Sequence, residues 1–287
     1  MDRMTVLAPA ALGVAFFVVN LVIYATMIAT GRAPDLGRFK TSGALGRFWS
    51  GYMVWLIRPL ERALIAARIS PMTVTAVSLG LCVLAGVAVA LGSLATGAWL
   101  FIAGGILDML DGRLARATNR QTQAGALFDS VADRWAELAM LTGFAWFLRD
   151  HGGWFVAVMA ATGGSLMVSY TRARAEALGL ELKSGAMQRA ERVLLIAVGT
   201  LAAAWLSASP ATTYLAAPTI GAMLMTCGLL STWTAIRRWV DAHRALVASE
   251  PVPVRTALSS TTSLAMARER SLAPARAVSL DRRRGST

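Results

Sequence analysis

Residues 108–133 read DMLDGRLARATNRQTQAGALFDSVAD and place four aspartates inside an otherwise apolar part of the chain. The spacing is DxxDGxxAR, eight residues, then GxxxDxxxD, with the acids at Asp108, Asp111, Asp129 and Asp133. An ionised carboxylate in a membrane helix costs roughly 2.5–3.5 kcal/mol at the bilayer centre and less toward the ends, so four of them need compensation. A divalent cation is the obvious compensating charge.

The composition places the chain among polytopic membrane proteins and excludes a soluble globular enzyme. Apolar residues make up 56% of it, charged residues only 15%, and the mean hydropathy is +0.55. The net charge is +12, but the cations lie between hydrophobic runs and not along one polar face. An anionic lipid surface or phosphorylated substrates therefore fit better than nucleic acid, and we expect no nucleic-acid partner.

Hydrophobic runs long enough to cross about 30 Å of hydrocarbon predict membrane spans. Seven are expected, at about residues 6–29, 72–92, 96–117, 123–148, 153–178, 190–208 and 212–236. Of the 28 Lys and Arg residues, only Arg3 and Arg149 fall on one side of these spans. The positive-inside rule then predicts an external N-terminus and a cytoplasmic C-terminus, in a bacterial-type inner membrane with the site facing the cytoplasm.

Changes in composition divide the chain into four regions. Residues 1–31 are expected to be an extra N-terminal transmembrane helix, and residues 71–245 the catalytic transmembrane domain. Between them, residues 32–70 alternate cations with apolar residues at intervals of three and four, which predicts an amphipathic segment at the cytoplasmic membrane interface. Residues 246–287, rich in Ser, Thr, Pro, Ala and Arg, are expected to be a disordered basic tail.

The spacing of the aspartates predicts that their side chains converge. Intervals of three and four residues put each pair on one helix face, and the short loop between the pairs makes the two helices antiparallel neighbours. Carboxylate oxygens are preferred ligands of Mg²⁺ and Mn²⁺. Four acids are enough for two ions per site, an arrangement that clamps both ends of a phosphoryl displacement.

Small residues and an arginine next to the acids indicate phosphate handling. Gly112, Ala115 and Gly125 lack bulk where the helices face each other, so that a phosphate or nucleotide can approach the backbone. Arg116 can meet phosphate oxygens with its forked guanidinium group.

Two other interpretations remain open at this point. The acids could simply form interfacial salt bridges with nearby arginines, although that leaves their regular spacing unexplained. They could instead carry protons or cations in a transporter, although their position at the cytoplasmic helix ends argues against a pathway through the bilayer midplane.

The motif in residues 108–133 resembles the signature of the CDP-alcohol phosphatidyltransferase family at every defining position, and the similarity extends over about residues 47–240. The resemblance implies an all-α, six-helix membrane bundle in a homodimer, which here carries the extra N-terminal helix and the interfacial helix. It implies transfer of a phosphatidyl group from CDP-diacylglycerol (CDP-DAG) to an alcohol, with release of CMP. It also implies two metal ions bound by Asp108, Asp111, Asp129 and Asp133, the last of which is the base that deprotonates the acceptor hydroxyl.

The same resemblance assigns the nucleotide site. The residues expected to contact the nucleotide are Thr75, Gly112, Ala115, Arg116 and Thr122. In the segment SPMTVT around Thr75, this chain has Met72 where the family usually has a polar residue after the proline.

Arginines at helix ends suggest an anionic acceptor. On the sequence alone, positive-inside topology and an anion-binding pocket explain them about equally well. The segments SYTRARAEALGL and QRAER resemble the acceptor-phosphate pocket of phosphatidylinositol phosphate synthases within the family, which favours the pocket. By this resemblance the acceptor-binding residues are Arg134, Ser169, Arg172, Arg174, Arg189 and Arg192. Inositol 1-phosphate is the preferred acceptor, glycerol 3-phosphate is second, and a neutral alcohol such as inositol or serine is third.

Overall fold

The computed structural model describes residues 3–32, 46–180, 185 and 187–249. These described residues form eight α-helices and no strand, which confirms the all-α prediction. The helices are α1 Arg3–Ala29, α2 Gly46–Ala66, α3 Pro71–Ala90, α4 Leu94–Ala117, α5 Gln123–Phe147, α6 Gly152–Ala177, α7 Arg189–Ser207 and α8 Ala216–Ser249, with a short 3-10 turn at Thr213–Leu215.

The described residues up to Ala245 form one compact unit. Residues 246–249 are the last turn of α8, which therefore extends beyond the predicted end of its span near residue 236. The rest of the predicted tail, residues 250–287, lies outside the described residues.

Six helical segments are long and apolar enough to cross a membrane, and they confirm an integral membrane protein. Among the described residues these segments are Ala11–Ala29, Pro71–Ala90, Leu94–Ala117, Gly152–Ala177, Arg189–Ser207 and Thr213–Ser249. The span predicted at residues 123–148 corresponds to α5 but does not meet this criterion. Asp129, Asp133, Arg134 and Glu137 interrupt its apolar sequence. That α5 crosses the bilayer stays a prediction.

Close backbone contacts at glycines hold the bundle together. A Cβ atom added to Gly143 of α5 would lie 2.2 Å from the carbonyl oxygen of Gly86 in α3. A Cβ atom on Gly228 of α8 would lie 2.5 Å from the carbonyl carbon of Ala160 in α6. Small residues of this kind let helix backbones approach closely in lipid, where the hydrophobic effect does not drive helices together. Helix α5 is thus a full member of the bundle despite its charges.

The extra helix α1 packs against the bundle through one face. The rings of Phe17 and of Trp99 in α4 stack with centroids 6.3 Å apart, and Gly13 lies against the same indole. The hydroxyl group of Tyr52 in α2 donates a hydrogen bond of 2.7 Å to the carbonyl oxygen of Phe17. Both added helices therefore contact the chain that follows them, while the position of α2 at the membrane surface stays a prediction.

Hydroxyl caps define the starts of the two helices that border the acidic site. The Ser70 hydroxyl accepts a hydrogen bond of 3.1 Å from the backbone N–H of Thr73 at the start of α3. The Thr122 hydroxyl accepts one of 3.0 Å from the N–H of Gly125 at the start of α5. Each cap satisfies a backbone donor that the helix itself leaves unpaired.

Candidate active site

Three of the four aspartates meet where α4 ends and α5 begins. One carboxylate oxygen from each of Asp108, Asp111 and Asp129 lies within 4.8 Å of the other two. Two oxygens on opposite sides of one Mg²⁺ lie about 4.2 Å apart, at twice the usual Mg–O distance. Hard oxygen donors with this spacing fit a divalent cation, so the side chains present suit the metal that the spacing predicted.

A hydrogen bond from α3 orients one of these acids. Asp111 is buried, and its Oδ2 accepts a hydrogen bond of 2.6 Å from the Thr75 hydroxyl, which is also buried. Such a partner fixes a ligand's orientation and strengthens metal sites in general. Thr75 therefore supports the acidic cluster, besides the nucleotide contact predicted for it.

The fourth acid, Asp133, lies one turn after Asp129 and outside that group of three. Arg189, the first residue of α7, joins it to the cluster. Its Nη2 lies 2.6 Å from Oδ1 of Asp133, while its Nη1 donates a short hydrogen bond to Oδ2 of Asp108. The structure thus links Asp133 to the other acids through a guanidinium group. Its roles as metal ligand and base stay predictions.

An open pocket of about 830 Å³ adjoins the acids at the start of α3, the end of α4 and the start of α5. Asp111 and Asp129 form part of its wall, as do the cations Arg116 and Arg120. All five residues predicted to contact the nucleotide line it: Thr75, Gly112, Ala115, Arg116 and Thr122. Met72 lines it too. The structure brings the five together, while contact with a nucleotide stays a prediction.

The residues predicted to bind the acceptor lie in different environments in the structure. Arg189 is held between the two aspartates, and Arg134 lies on α5 directly after Asp133. Arg192, by contrast, is 1% exposed and donates hydrogen bonds of 2.7 and 3.2 Å from Nε and Nη2 to the two carboxylate oxygens of Glu137. Its contact with an acceptor stays a prediction, and in the structure its guanidinium group is occupied by Glu137.

The other three predicted acceptor residues lie near the end of α6. Arg172 and Arg174 are exposed, and Arg172 pairs with Glu176 at 2.8 Å one turn further on. The hydroxyl group of Ser169 donates a hydrogen bond of 3.1 Å to the carbonyl oxygen of Ser165. Their role in acceptor binding stays a prediction.

A narrow cavity of about 20 Å³, with room for about one water molecule, borders Asp133 and Arg189. Glu137 is its other acidic wall residue, and Cys82 and Phe101 contribute apolar surface. This space is too small for an acceptor, so the approach of an acceptor to Asp133 stays a prediction.

Two acids with little exposure, Glu137 and Glu61, were not singled out from the sequence. Glu137 pairs with Arg192, as described above. Glu61 of α2 is 8% exposed, and its Oε2 accepts hydrogen bonds of 3.1 and 2.8 Å from Nε and Nη2 of Arg113. An acid inside an apolar helix signals that a partner exists, but the sequence does not say which residue it is.

Comparisons with known proteins give the family. Residues 68–234, more than half of the chain, match the model of the CDP-alcohol phosphatidyltransferase family. The chain belongs to this family. This phosphatidyltransferase is therefore an enzyme, as predicted, and the transporter alternative has no support.

Its relatives include proteins named for inositol phosphate lipids. It is 33% identical over 196 residues to the phosphatidylinositol phosphate synthase of Cutibacterium acnes, a match that covers 66% of this chain and 93% of that protein. It is 43% identical over 111 residues to the archaetidylinositol phosphate synthase of Methanothermobacter thermautotrophicus, which covers 39% of this chain and only 55% of that protein.

Solved structures of a mycobacterial relative share the fold. The phosphatidylinositol phosphate synthase of Mycobacterium tuberculosis with CDP-DAG bound is 27% identical, with a TM-score of 0.57 over 66% of this chain and 94% of that one. The same enzyme in complex with manganese and citrate gives the same identity and score over 64% and 88%.

Proposed function

We propose that this phosphatidyltransferase transfers the phosphatidyl group of CDP-DAG to a phosphorylated polyol, with inositol 1-phosphate as the preferred acceptor, and releases CMP in phospholipid biosynthesis. The observation that carries the proposal is the pocket of about 830 Å³ whose wall includes two of the three clustered aspartates. The names of the relatives, and the CDP-DAG bound by one of them, support the choice of substrates.

The donor fits this pocket by charge. CDP-DAG carries a pyrophosphate, and Arg116 and Arg120 give the pocket positive charge that matches it. Gly112 and Gly125 leave the backbone open to close approach. The diacylglycerol tails enter sideways from the lipid, while the nucleotide lies among the residues predicted to bind it.

Asp108, Asp111 and Asp129 would hold a divalent cation, and we assign two Mg²⁺ ions to the site, with Mn²⁺ as the alternative and Asp133 as a further ligand. When bound, the metal supplies positive charge that offsets the charge of the pyrophosphate and of the departing CMP. The relative that was solved with manganese supports a divalent cation.

The reaction forms one bond and breaks one. The acceptor hydroxyl oxygen bonds to the phosphorus atom of the phosphatidyl group, and the bond from that phosphorus to the CMP oxygen breaks, so that CMP leaves with the electron pair. The hydroxyl proton passes to the carboxylate of Asp133. Arg189 holds one oxygen of that carboxylate and so orients it toward the acceptor.

The acceptor preference follows from the cations beside Asp133. Arg134 and Arg189 lie next to the proposed base, and a phosphate dianion on the acceptor complements them. Glycerol 3-phosphate presents the same dianion and is the alternative. A neutral alcohol carries no charge to complement these cations and is third. Arg192 contributes by holding Glu137 and the start of α7 in place.

The proposed setting is a bacterial-type inner membrane, with the site facing the cytoplasm. A homodimer is proposed from the family resemblance.

Purified protein with Mg²⁺ and CDP-DAG, given each acceptor in turn while CMP release is followed, tests the reaction. We expect inositol 1-phosphate to support the fastest release. Release with a neutral alcohol only would refute the arginine pocket. Asp133→Asn should abolish transfer and keep CDP-DAG binding, whereas normal turnover in that variant would remove the assignment of Asp133 as base.

A further inference from the structure

The end of α4 that carries the acids is held from two sides. On one side, Asp111 accepts its hydrogen bond from Thr75 of α3. On the other, Arg113 donates both of its hydrogen bonds to Glu61 of α2. Two positions along an α-helix are about 200° apart, so Asp111 and Arg113 point to opposite sides of α4. Helix α4 is therefore fixed between α3 and α2 at the level of the site.

The contact between Glu61 and Arg113 is shielded from solvent. The side chains are 10% and 18% exposed, so removing either partner would leave a poorly solvated charge without compensation. Apolar contacts surround the pair, with Ile57 of α2 in one cluster with Leu110 and Leu114 of α4. Apolar contacts hold the helices together without a preferred direction, whereas a charged pair with two hydrogen bonds selects one rotation and one register.

Residues of α4 close to Arg113 belong to the acidic cluster and to the donor pocket. Gly112 and Arg116 line the 830 Å³ pocket, and Asp111 belongs to the group of three acids. A rotation or an axial shift of α4 would move all of them at once. We infer that Glu61 and Arg113 form a positioning pair that fixes α4 against α2 and thereby sets the geometry of the acidic cluster and the donor pocket.

This inference extends the functional unit beyond the segment that matches the family. Glu61 precedes residues 68–234, so that α2 contributes to a site whose other parts lie within that segment. The inference rests on the proposed function only for the identity of the donor. The Mn²⁺ affinity of the acidic cluster can be measured without any turnover.

The test compares Mn²⁺ affinity, measured by electron paramagnetic resonance, in the wild type, Glu61→Gln, Arg113→Gln and the reversed pair E61R/R113E. We expect each single change to weaken binding by roughly five- to tenfold, and the reversed pair to return it to within about threefold of the wild type. Asp150→Asn is the matched control. It removes the acid from the exposed Arg149–Asp150 pair in the loop between α5 and α6 and should leave Mn²⁺ affinity unchanged.

A second readout separates positioning from stability. The KM for CDP-DAG should rise by a similar factor in the single variants, while the KM for the acceptor stays within about twofold, because the proposed acceptor residues lie on α5, α6 and α7. A pair that only stabilised the fold would lower the unfolding midpoint and leave Mn²⁺ affinity and the donor KM at wild-type values. That result would overturn the inference, as would a reversed pair no better than the single variants.

The role of the pair can still be decided if one variant does not fold or if the wild type releases no CMP. If Glu61→Gln cannot be purified in folded form, Glu61→Asp keeps the charge on a shorter side chain and should weaken Mn²⁺ binding by about threefold. Unchanged affinity in that variant would contradict the inference. If the wild type releases no CMP with any acceptor, the proposed reaction is refuted, while the comparison of Mn²⁺ affinities still decides the role of the pair.

Discussion

The pair of Glu137 and Arg192 is expected to be the most sensitive polar contact in the bundle. It joins α5 to α7 by two hydrogen bonds, and its side chains are only 13% and 2% exposed. Glu137→Gln would leave the Arg192 guanidinium buried without an opposite charge. Breaking a buried ion pair on one side costs about 3–5 kcal/mol, and we expect a loss of unfolding free energy in that range.

The assay is a urea titration of the purified protein in detergent micelles, followed by tryptophan fluorescence. Glu176→Gln is the control, because it breaks the Arg172–Glu176 pair, whose side chains are 57% and 50% exposed. Exposed pairs one helical turn apart contribute under about 1 kcal/mol. If Glu137→Gln loses no more stability than Glu176→Gln, the buried pair does not hold α5 against α7, and the reasoning fails.

A double variant separates the two roles proposed for Arg192. Replacing both members of a buried pair by apolar residues is often neutral, so E137L/R192L should recover most of the stability that Glu137→Gln loses. If Arg192 acts only by position, the double variant keeps the acceptor KM within about twofold. A stable double variant with a much higher acceptor KM would show that Arg192 contacts the acceptor, as the family resemblance implied.

Further predictions concern single contacts. Thr75→Val removes the hydroxyl donor to Asp111 and should raise the Mg²⁺ concentration for half-maximal activity by about tenfold or more, with an unchanged acceptor KM. An unchanged Mg²⁺ requirement would contradict that role. Gly143→Ala forces a Cβ atom against the Gly86 carbonyl and should cost about 1–3 kcal/mol in a urea titration, whereas Gly163→Ala meets open space and should lose nothing. Equal losses would refute the close packing of α3 and α5. Tyr52→Phe removes the hydrogen bond to Phe17 and should lower the unfolding free energy by about 1 kcal/mol; no change would mean that this bond does not anchor α1.

The spacing of the aspartates predicted most of the site, because a helix converts intervals of three and four into a shared face. Asp108, Asp111 and Asp129 converge as expected, although α4 and α5 are not the close neighbours predicted, because each packs mainly against α3. The five residues expected around the nucleotide also meet in one pocket, since three of them lie on the same stretch of chain.

The long-range ion pairs could not be predicted, because they join residues far apart in the chain. Arg189 meets Asp108 across 81 positions, and Arg113 meets Glu61 across 52. Arginines are numerous in this chain, and sequence spacing alone does not assign one acid to one of them. The charged residues of α5 keep it outside the six helical segments that are apolar enough to cross by length and hydropathy, so the seventh span stays a prediction.

We propose that three carboxylates on α4 and α5 bind a divalent cation beside the donor pocket. Anomalous diffraction from crystals grown with Mn²⁺ tests it most directly. We expect an anomalous peak within coordination distance of Asp108, Asp111 and Asp129, and loss of that peak in Asp129→Asn. Full Mn²⁺ occupancy at another site, with these three side chains free of metal, would contradict it.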